Sequence, residues 1–146
     1  MEIKQFNCVD TVTTLERKKI IDFLHDHLDE YNDAWDSISN AVEYALGDGP
    51  VFGGFVLCVE EEGDILGALV MNHTHMKGYI PENILVYIAV HRDHRGKGIG
   101  KRLMEHAVKI APGNIALHVE KDNPAVHLYQ KIGFTNPYLE MRYYKN

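Results

Sequence analysis

The sequence predicts a mixed α/β domain of the α+β class, and three observations carry that expectation. Segments with apolar residues at helical spacing alternate with short apolar runs that read as strands. Near the middle of the chain a strand-like run, NILVYIAV, leads straight into a glycine-rich basic loop and then a helical pattern, HRDHRGKGIGKR. At 146 residues, 45% hydrophobic and 25% charged, the chain has globular composition and length for one core, so residues 1–146 are expected to form a single domain.

The elements follow in order. After an opening strand, Thr13 and Glu16 make a T-x-x-E capping box, and Ile21, Leu24, Leu28 and Tyr31 recur at helical spacing, which predicts a helix over about 14–30. Asp33 can cap a second helix in which Trp35, Ile38, Val42, Ala45 and Leu46 share a face before Gly47 and Gly49-Pro50 stop it. VFGGFVLCVE and ILGALVM, separated by Glu-Glu-Gly-Asp, read as a β-hairpin. NILVYIAV is apolar on both faces and reads as a buried central strand. Ile99, Leu103, Ala107 and Ile110 define a third helix ended by Pro112-Gly113. IALHV is another strand. DNPAVHLYQKIG is a short helix with Asp122 or Asn123 as cap, Pro124 in its first turn and Gly133 past its end. FTNPYLEMRYY suggests two last strands around Asn136-Pro137.

Composition excludes several classes. MEIKQFNCVD has no basic patch leading into an apolar core, and the longest apolar run, residues 84–90, is too short to cross a bilayer, so a cytoplasmic chain without a membrane partner is expected. Cys8 and Cys58 lack CxxC spacing, which argues against a disulfide framework or zinc knuckle. His73-x-His75 would share a strand face, but no third ligand is placed with it, and His25-x-His27 on a helix points its rings apart, so no metal is expected. The net charge of −6 opposes nucleic-acid binding. Its distribution is uneven: twelve Asp/Glu and no Lys or Arg lie between Asp22 and Asp64, whereas residues 91–109 carry six Lys/Arg against two acids.

That basic stretch sits where a strand ends and a helix begins. Such a turn offers unpaired backbone N–H groups and the positive end of a helix dipole. Glycine allows close approach of an anion, and Arg95, Lys97 and Lys101 add charge, a set suited to a pyrophosphate. A basic turn whose glycines serve geometry alone fits the same spacing. The dinucleotide fingerprint fails, because Lys101 stands where G-x-G-x-x-G requires its third glycine, and the Walker pattern fails because Arg102 follows Gly100-Lys101.

The pattern that does match is R-x-x-G-x-G, as Arg95-Gly96-Lys97-Gly98-Ile99-Gly100, behind a strand ending Ile88-Ala89-Val90. A second motif follows, N-P-A-x-x-L-Y-x-K-x-G-F from Asn123 to Phe134. In these two motifs the sequence resembles the GNAT superfamily of N-acetyltransferases. The resemblance implies a central mixed, mostly antiparallel sheet of six to seven strands with splayed fourth and fifth strands, flanked by about four helices. It implies acetyl-CoA as co-substrate, its pantetheine arm paired with backbone groups of Ile88, Ala89 and Val90 in the manner of an added strand. The diphosphate would lie on the amides from Arg95 or Gly96 through Lys97, Gly98, Ile99 and Gly100 to Lys101. Tyr129 matches the family tyrosine that protonates the departing thiolate, although with Ala125, Leu128 and Ile132 it also fits a helix core face. Asn123 would contact the cofactor, cap the helix, or do both.

Direct attack of an amine on the thioester also asks for a group to receive a proton. Many relatives carry an acid within the fourth strand, where this chain has Ile84, Val86 and Tyr87. Glu82 at the strand's start, His118 on the fifth strand, and His73 or His75 after the third, relaying a proton through water, are the alternatives, and none is assigned. Relatives shape the amine pocket from their first helices, here the acidic region, which suggests a cationic acceptor such as a polyamine, an aminoglycoside or a basic peptide terminus. A merely solvated acidic face fits as well, since Asp22, Asp26 and Asp29 lie on an outer helix surface. A non-catalytic acyl-CoA sensor would keep the loop without the chemistry, and a homodimer aided by Tyr138, Tyr143 and Tyr144 is a further expectation.

Overall fold

A computed structural model describes residues 1–47 and 53–146. The elements are β1 (Glu2–Phe6), α1 (Thr14–His27), a 3-10 turn at Asp29–Tyr31, α2 (Trp35–Leu46), β2 (Gly54–Glu61) and β3 (Asp64–His73). They continue with β4 (Asn83–Val90), a 3-10 turn at Arg92–His94, α3 (Ile99–Ile110), β5 (Ile115–Leu117) and α4 (Ala125–Ile132). The sheet runs β1-β2-β3-β4-β5, antiparallel throughout except for the parallel pair β4-β5.

Local chemistry explains most of these boundaries. Thr13 and Glu16 close the capping box in both directions, with bonds of 3.1 Å from Glu16 N–H to Thr13 Oγ1 and 3.0 Å from Thr13 N–H to Glu16 Oε1. The β2-β3 connection is Glu62-Gly63, both at positive φ (51° and 83°), the two-residue turn whose twist matches a hairpin. α2 departs from expectation at its start: no side chain caps it, and Asp33 instead accepts a hydrogen bond from the Tyr87 hydroxyl at 2.5 Å. The expected stop at Gly49-Pro50 and the first residues of VFGG lie outside the described residues.

Alternating strand residues divide the interior into two layers. Val56 and Cys58 of β2, Ala68 and Val70 of β3, and Ala89 of β4 pack against α1 and α2, with Tyr87 at the margin. Leu57, Leu69, Met71 and Leu85 pack on the other side against Leu103 and Met104 of α3 and Tyr129 of α4, with Ile88 and Val90 partly covered. Both cysteines are free thiols, and burial pushes that of Cys58 up to about 12.

The expectation of six to seven strands is corrected to five. IALHV shortens to Ile115–Leu117, and FTNPYLEMRYY forms no strand. Pro137 removes one ladder donor, and a three-residue β5 offers little edge for a further strand to pair with. The side chains of Tyr138, Leu139, Met141, Tyr143 and Tyr144 are all exposed.

Candidate active site

β4 and β5 are joined at one end and apart at the other. Their pairing covers Asn83–Ile115, Ile84–Ala116 and Leu85–Leu117, after which β5 ends while β4 continues to Val90. The fully buried Asn83 secures the joined end: its Nδ2 donates to the carbonyls of Pro112 (2.8 Å) and Asn114 (3.1 Å). A register shift in the β3-β4 ladder, Val70 to Tyr87 and then Met71 to Leu85, leaves Val86 as a bulge where the divergence begins. From Val86 to Val90, β4 therefore has a free edge on the β5 side.

The basic loop continues from that edge. Gly96 and Gly98 have φ of 78° and 82°, which only glycine adopts without strain, and Gly98 begins α3 with no side-chain cap. The first-turn amides of Ile99, Gly100 and Lys101 thus have neither an intrahelical acceptor nor a side-chain one. Gly100 permits close packing, since a methyl group there would stand 3.3 Å from Leu128 of α4 and 3.6 Å from Val90. Lys97 and Lys101 are exposed and make only loose contacts, with His94 at 3.5 Å and Glu105 at 3.7 Å.

The Arg95 side chain is occupied differently from the expected anion contact. It donates to Val90 O (3.2 Å), His27 O (2.8 Å) and Asp29 Oδ2 (2.8 Å). Arg92 meets the other Asp29 oxygen at 3.0 Å and also donates to Asp26 O. Arg95 foremost, then Arg92, hold the Asp29 carboxyl below the usual carboxylate range. The loop is thereby braced against the C-terminal end of α1, a link that no local motif announces.

Tyr129 lies in the same apolar cluster as Leu85, Ile88 and Val90 and is 8% exposed. Burial alone pushes its phenol up to about 12, so it remains a proton donor at neutral pH. Among the described residues its hydroxyl makes no hydrogen bond to another protein group. Asn123 Oδ1 accepts from the Ala125 amide at 2.9 Å, which fixes the first turn of α4.

The proposed proton acceptors fall in two places. Glu82 packs against Gly113 at the start of β4, about 26 Å from Val90 at the usual strand rise. His73 is bonded to Asn83 at that same end (2.6 Å), with the His75 ring 6.3 Å from its own. His118 follows β5 directly, beside Glu140 and Arg142. Among the described residues no group of three or more His, Cys, Asp or Glu is arranged for a metal ion.

The chain is similar to known proteins in sequence and in fold. The model of the acetyltransferase (GNAT) family matches residues 20–134. The peptidyl-lysine N-acetyltransferase YjaB of Salmonella typhimurium is 28% identical over 117 residues, 80% of this chain and 70% of that protein. The 5-NmdU N-acetyltransferase of Pseudomonas phage PaMx11 is 32% identical over 84 residues, 56% of this chain and 58% of that one. Among solved structures, an aminoglycoside N-acetyltransferase in complex with CoA aligns with a TM-score of 0.69 at 14% identity, over 99% of this chain and 95% of its own. That likeness carries the fold.

Proposed function

The protein belongs to the acetyltransferase (GNAT) family, and from that membership we propose that it moves the acetyl group of acetyl-CoA to a primary amine of a small molecule or peptide by direct attack in a ternary complex. The observation that carries this reading is the free edge of β4 from Val86 to Val90, which ends in a loop with uncapped helix amides. Backbone groups of Ile88, Ala89 and Val90 would pair with the pantetheine amides, which fixes the thioester. The amides from Gly96 to Lys101 would hold the diphosphate, with Lys97 and Lys101 supplying charge. Arg95 would act mainly by bracing that loop through Asp29 and His27. Tyr129 would protonate the thiolate as the C–S bond breaks, and Asn123 would orient α4 beneath it.

The acceptor in this reading is cationic. Tyr31, at the end of the turn after α1, lies among Asp122, Glu30 and Glu120, and Asp33 stands beside Tyr87. Two relatives are named for acceptors that carry amines, peptidyl-lysine and 5-NmdU. The exposed aromatic tail is offered as a contact in a homodimer.

Calorimetric titration with acetyl-CoA, alongside ATP and NAD, tests the reading. Selective acetyl-CoA binding followed by thiol release in the presence of an amine is the expected result. Binding without thiol release for any amine would make the chain an acyl-CoA sensor, and absence of binding by folded protein would remove the reading.

A further inference from the structure

Direct transfer leaves one proton without a destination. The nitrogen gains positive charge as it attacks the thioester carbon and must then lose a proton, while Tyr129 serves the sulfur. No carboxylate lies within β4; Glu82, His73 and His75 lie at its far end, and the ring nitrogens of His118 after β5 face Glu140 and Arg142.

One carboxylate is brought to β4 from elsewhere. Asp33 Oδ2 accepts a 2.5 Å hydrogen bond from the Tyr87 hydroxyl, across 54 residues of sequence. Tyr87 and Ala89 face the α1-α2 layer, whereas Ile88 and Val90 face the layer that contains Tyr129. Asp33 and Tyr129 therefore lie on opposite faces of the sheet at β4. The segment bearing Asp33 is fastened at several points: Asp29 to Arg92 and Arg95 beyond β4, Asn32 Nδ2 to His25 O at 2.6 Å, and Tyr31 Oη to Asp122 O at 3.2 Å beyond β5. Residues 29–33 thus reach from the loop after β4 to the loop after β5, across the side of the gap where those strands part.

The Tyr87–Asp33 pair is chemically one-sided. Burial first, and then the Asp33 hydrogen bond, push the Tyr87 phenol up, so Tyr87 stays a donor and Asp33 its acceptor. Only Oδ2 of Asp33 is engaged with Tyr87; the residue is exposed, and among the described residues Oδ1 has no hydrogen-bond donor. A carboxylate oriented by a phenol on a central strand, with its second oxygen open, is built to receive an N–H group.

We infer that Asp33 is the catalytic carboxylate that holds the acceptor's amine and takes the proton its nitrogen sheds, with Tyr87 as the residue that positions it. The inference rests on the acetyl-transfer reading above. The neutral amine attacks, the C–N bond forms and the C–S bond breaks with its electron pair leaving on sulfur. Tyr129 gives its hydroxyl proton to that sulfur and regains one from solvent. The nitrogen, now part of an N-protonated amide and strongly acidic, gives its proton to Asp33, which passes it to water. A carboxylate is a sufficient base at that stage, and before it the same charge attracts a cationic acceptor.

Steady-state kinetics of the wild type, Asp33→Asn, Asp33→Glu and Tyr87→Phe test this, with spermine, kanamycin and a lysine-bearing peptide as amine probes and acetyl-CoA titrated calorimetrically into each protein. Asp33→Asn should lower kcat/KM for the amine about 100-fold with acetyl-CoA affinity unchanged, and Asp33→Glu should recover part of the loss. Tyr87→Phe should raise the amine KM about fivefold and leave the acetyl-CoA KM alone, a split that general loosening of the fold would not give. Asp33→Asn within threefold of wild type, or an equal loss of acetyl-CoA binding in both variants, overturns the inference while acetyl transfer by the wild type stands. A wild type that binds acetyl-CoA yet acetylates none of the probes overturns it too. A wild type that binds no acetyl-CoA brings down the acetyl-transfer reading itself, and the inference with it.

Discussion

On its α3 side, β4 meets a contiguous loop, residues 95–101, whose working parts are backbone amides and glycine torsions. On its α1 side, the groups beside β4 and its neighbouring loops come from Asp29, Tyr31 and Asp33, which reach partners 54 to 91 residues away through side chains. The first arrangement depends on backbone conformation, with the Arg95 side chain bracing it. The second depends on individual contacts between exposed or half-buried groups, each of modest strength, so only their combination holds residues 29–33 in place.

Substitutions on the two sides should separate in what they change. The largest effect is expected at Tyr129, the proton donor of the proposed reaction: Tyr129→Phe should lower kcat about 100-fold, with acetyl-CoA affinity within twofold of wild type by calorimetry. The retained ring keeps its place in the apolar cluster beside Phe134, so an equal loss of affinity and rate would mean that the hydroxyl is structural. Gly98→Ala comes next. Forcing a Cβ into φ of 82° costs about 1–2 kcal/mol, so acetyl-CoA Kd should rise about tenfold while the amine KM stays constant. Asp29→Asn acts on both sides, because Asp29 ties the loop arginines to the segment that carries Asp33. Its charge pair is exposed, so the expected rise is small, about threefold in both the acetyl-CoA and amine KM values. A rise confined to one substrate would show that the two sides are not linked through this carboxylate.

The same contrast explains what could be read from the chain. R-x-x-G-x-G and the N-P-A-x-x-L-Y motif are local, and the strand, loop and helix that surround them follow from short-range periodicity and capping, so their positions were legible. The early parting of β4 and β5 was legible only through the resemblance, because Val86 as a bulge and Asn83 as an anchor carry no local signature. Arg95 reads as an anion ligand until its three acceptors are seen, supplied by the end of β4, the last residue of α1 and the turn that follows it. Asp33 stands where a helix cap belongs, and nothing nearby in sequence indicates that Tyr87 takes its carboxylate instead. FTNPYLEMRYY has strand-like composition without a partner edge, and pairing, unlike propensity, is not a property of the segment.

The smallest expected effect tests the joint between the two sides. His27 stacks on His91 with ring centroids 4.2 Å apart, and its Nδ1 accepts from the Arg92 amide at 3.2 Å. Burial first, then the His91 and Arg92 charges, lower its pKa below the usual histidine value, with Asp26 opposing and Arg95 reinforcing. The unfolded chain, with a histidine pKa of about 6.5, binds the proton more readily than the folded one in the window just below that value. Stability should therefore fall as pH drops from about 7 through the lowered pKa, where the folded state must either charge a half-buried ring beside Arg92 or lose the bond to its amide. Scanning calorimetry between pH 7.5 and pH 5 should show this as a loss of about 2 °C in Tm that His27→Gln removes, because glutamine can accept the same amide without titrating. An unchanged pH slope in the variant would assign the loss to other groups and leave the Asp29 brace, whose carboxyl is held below the usual carboxylate range, as the charged link between the turn after α1 and the loop.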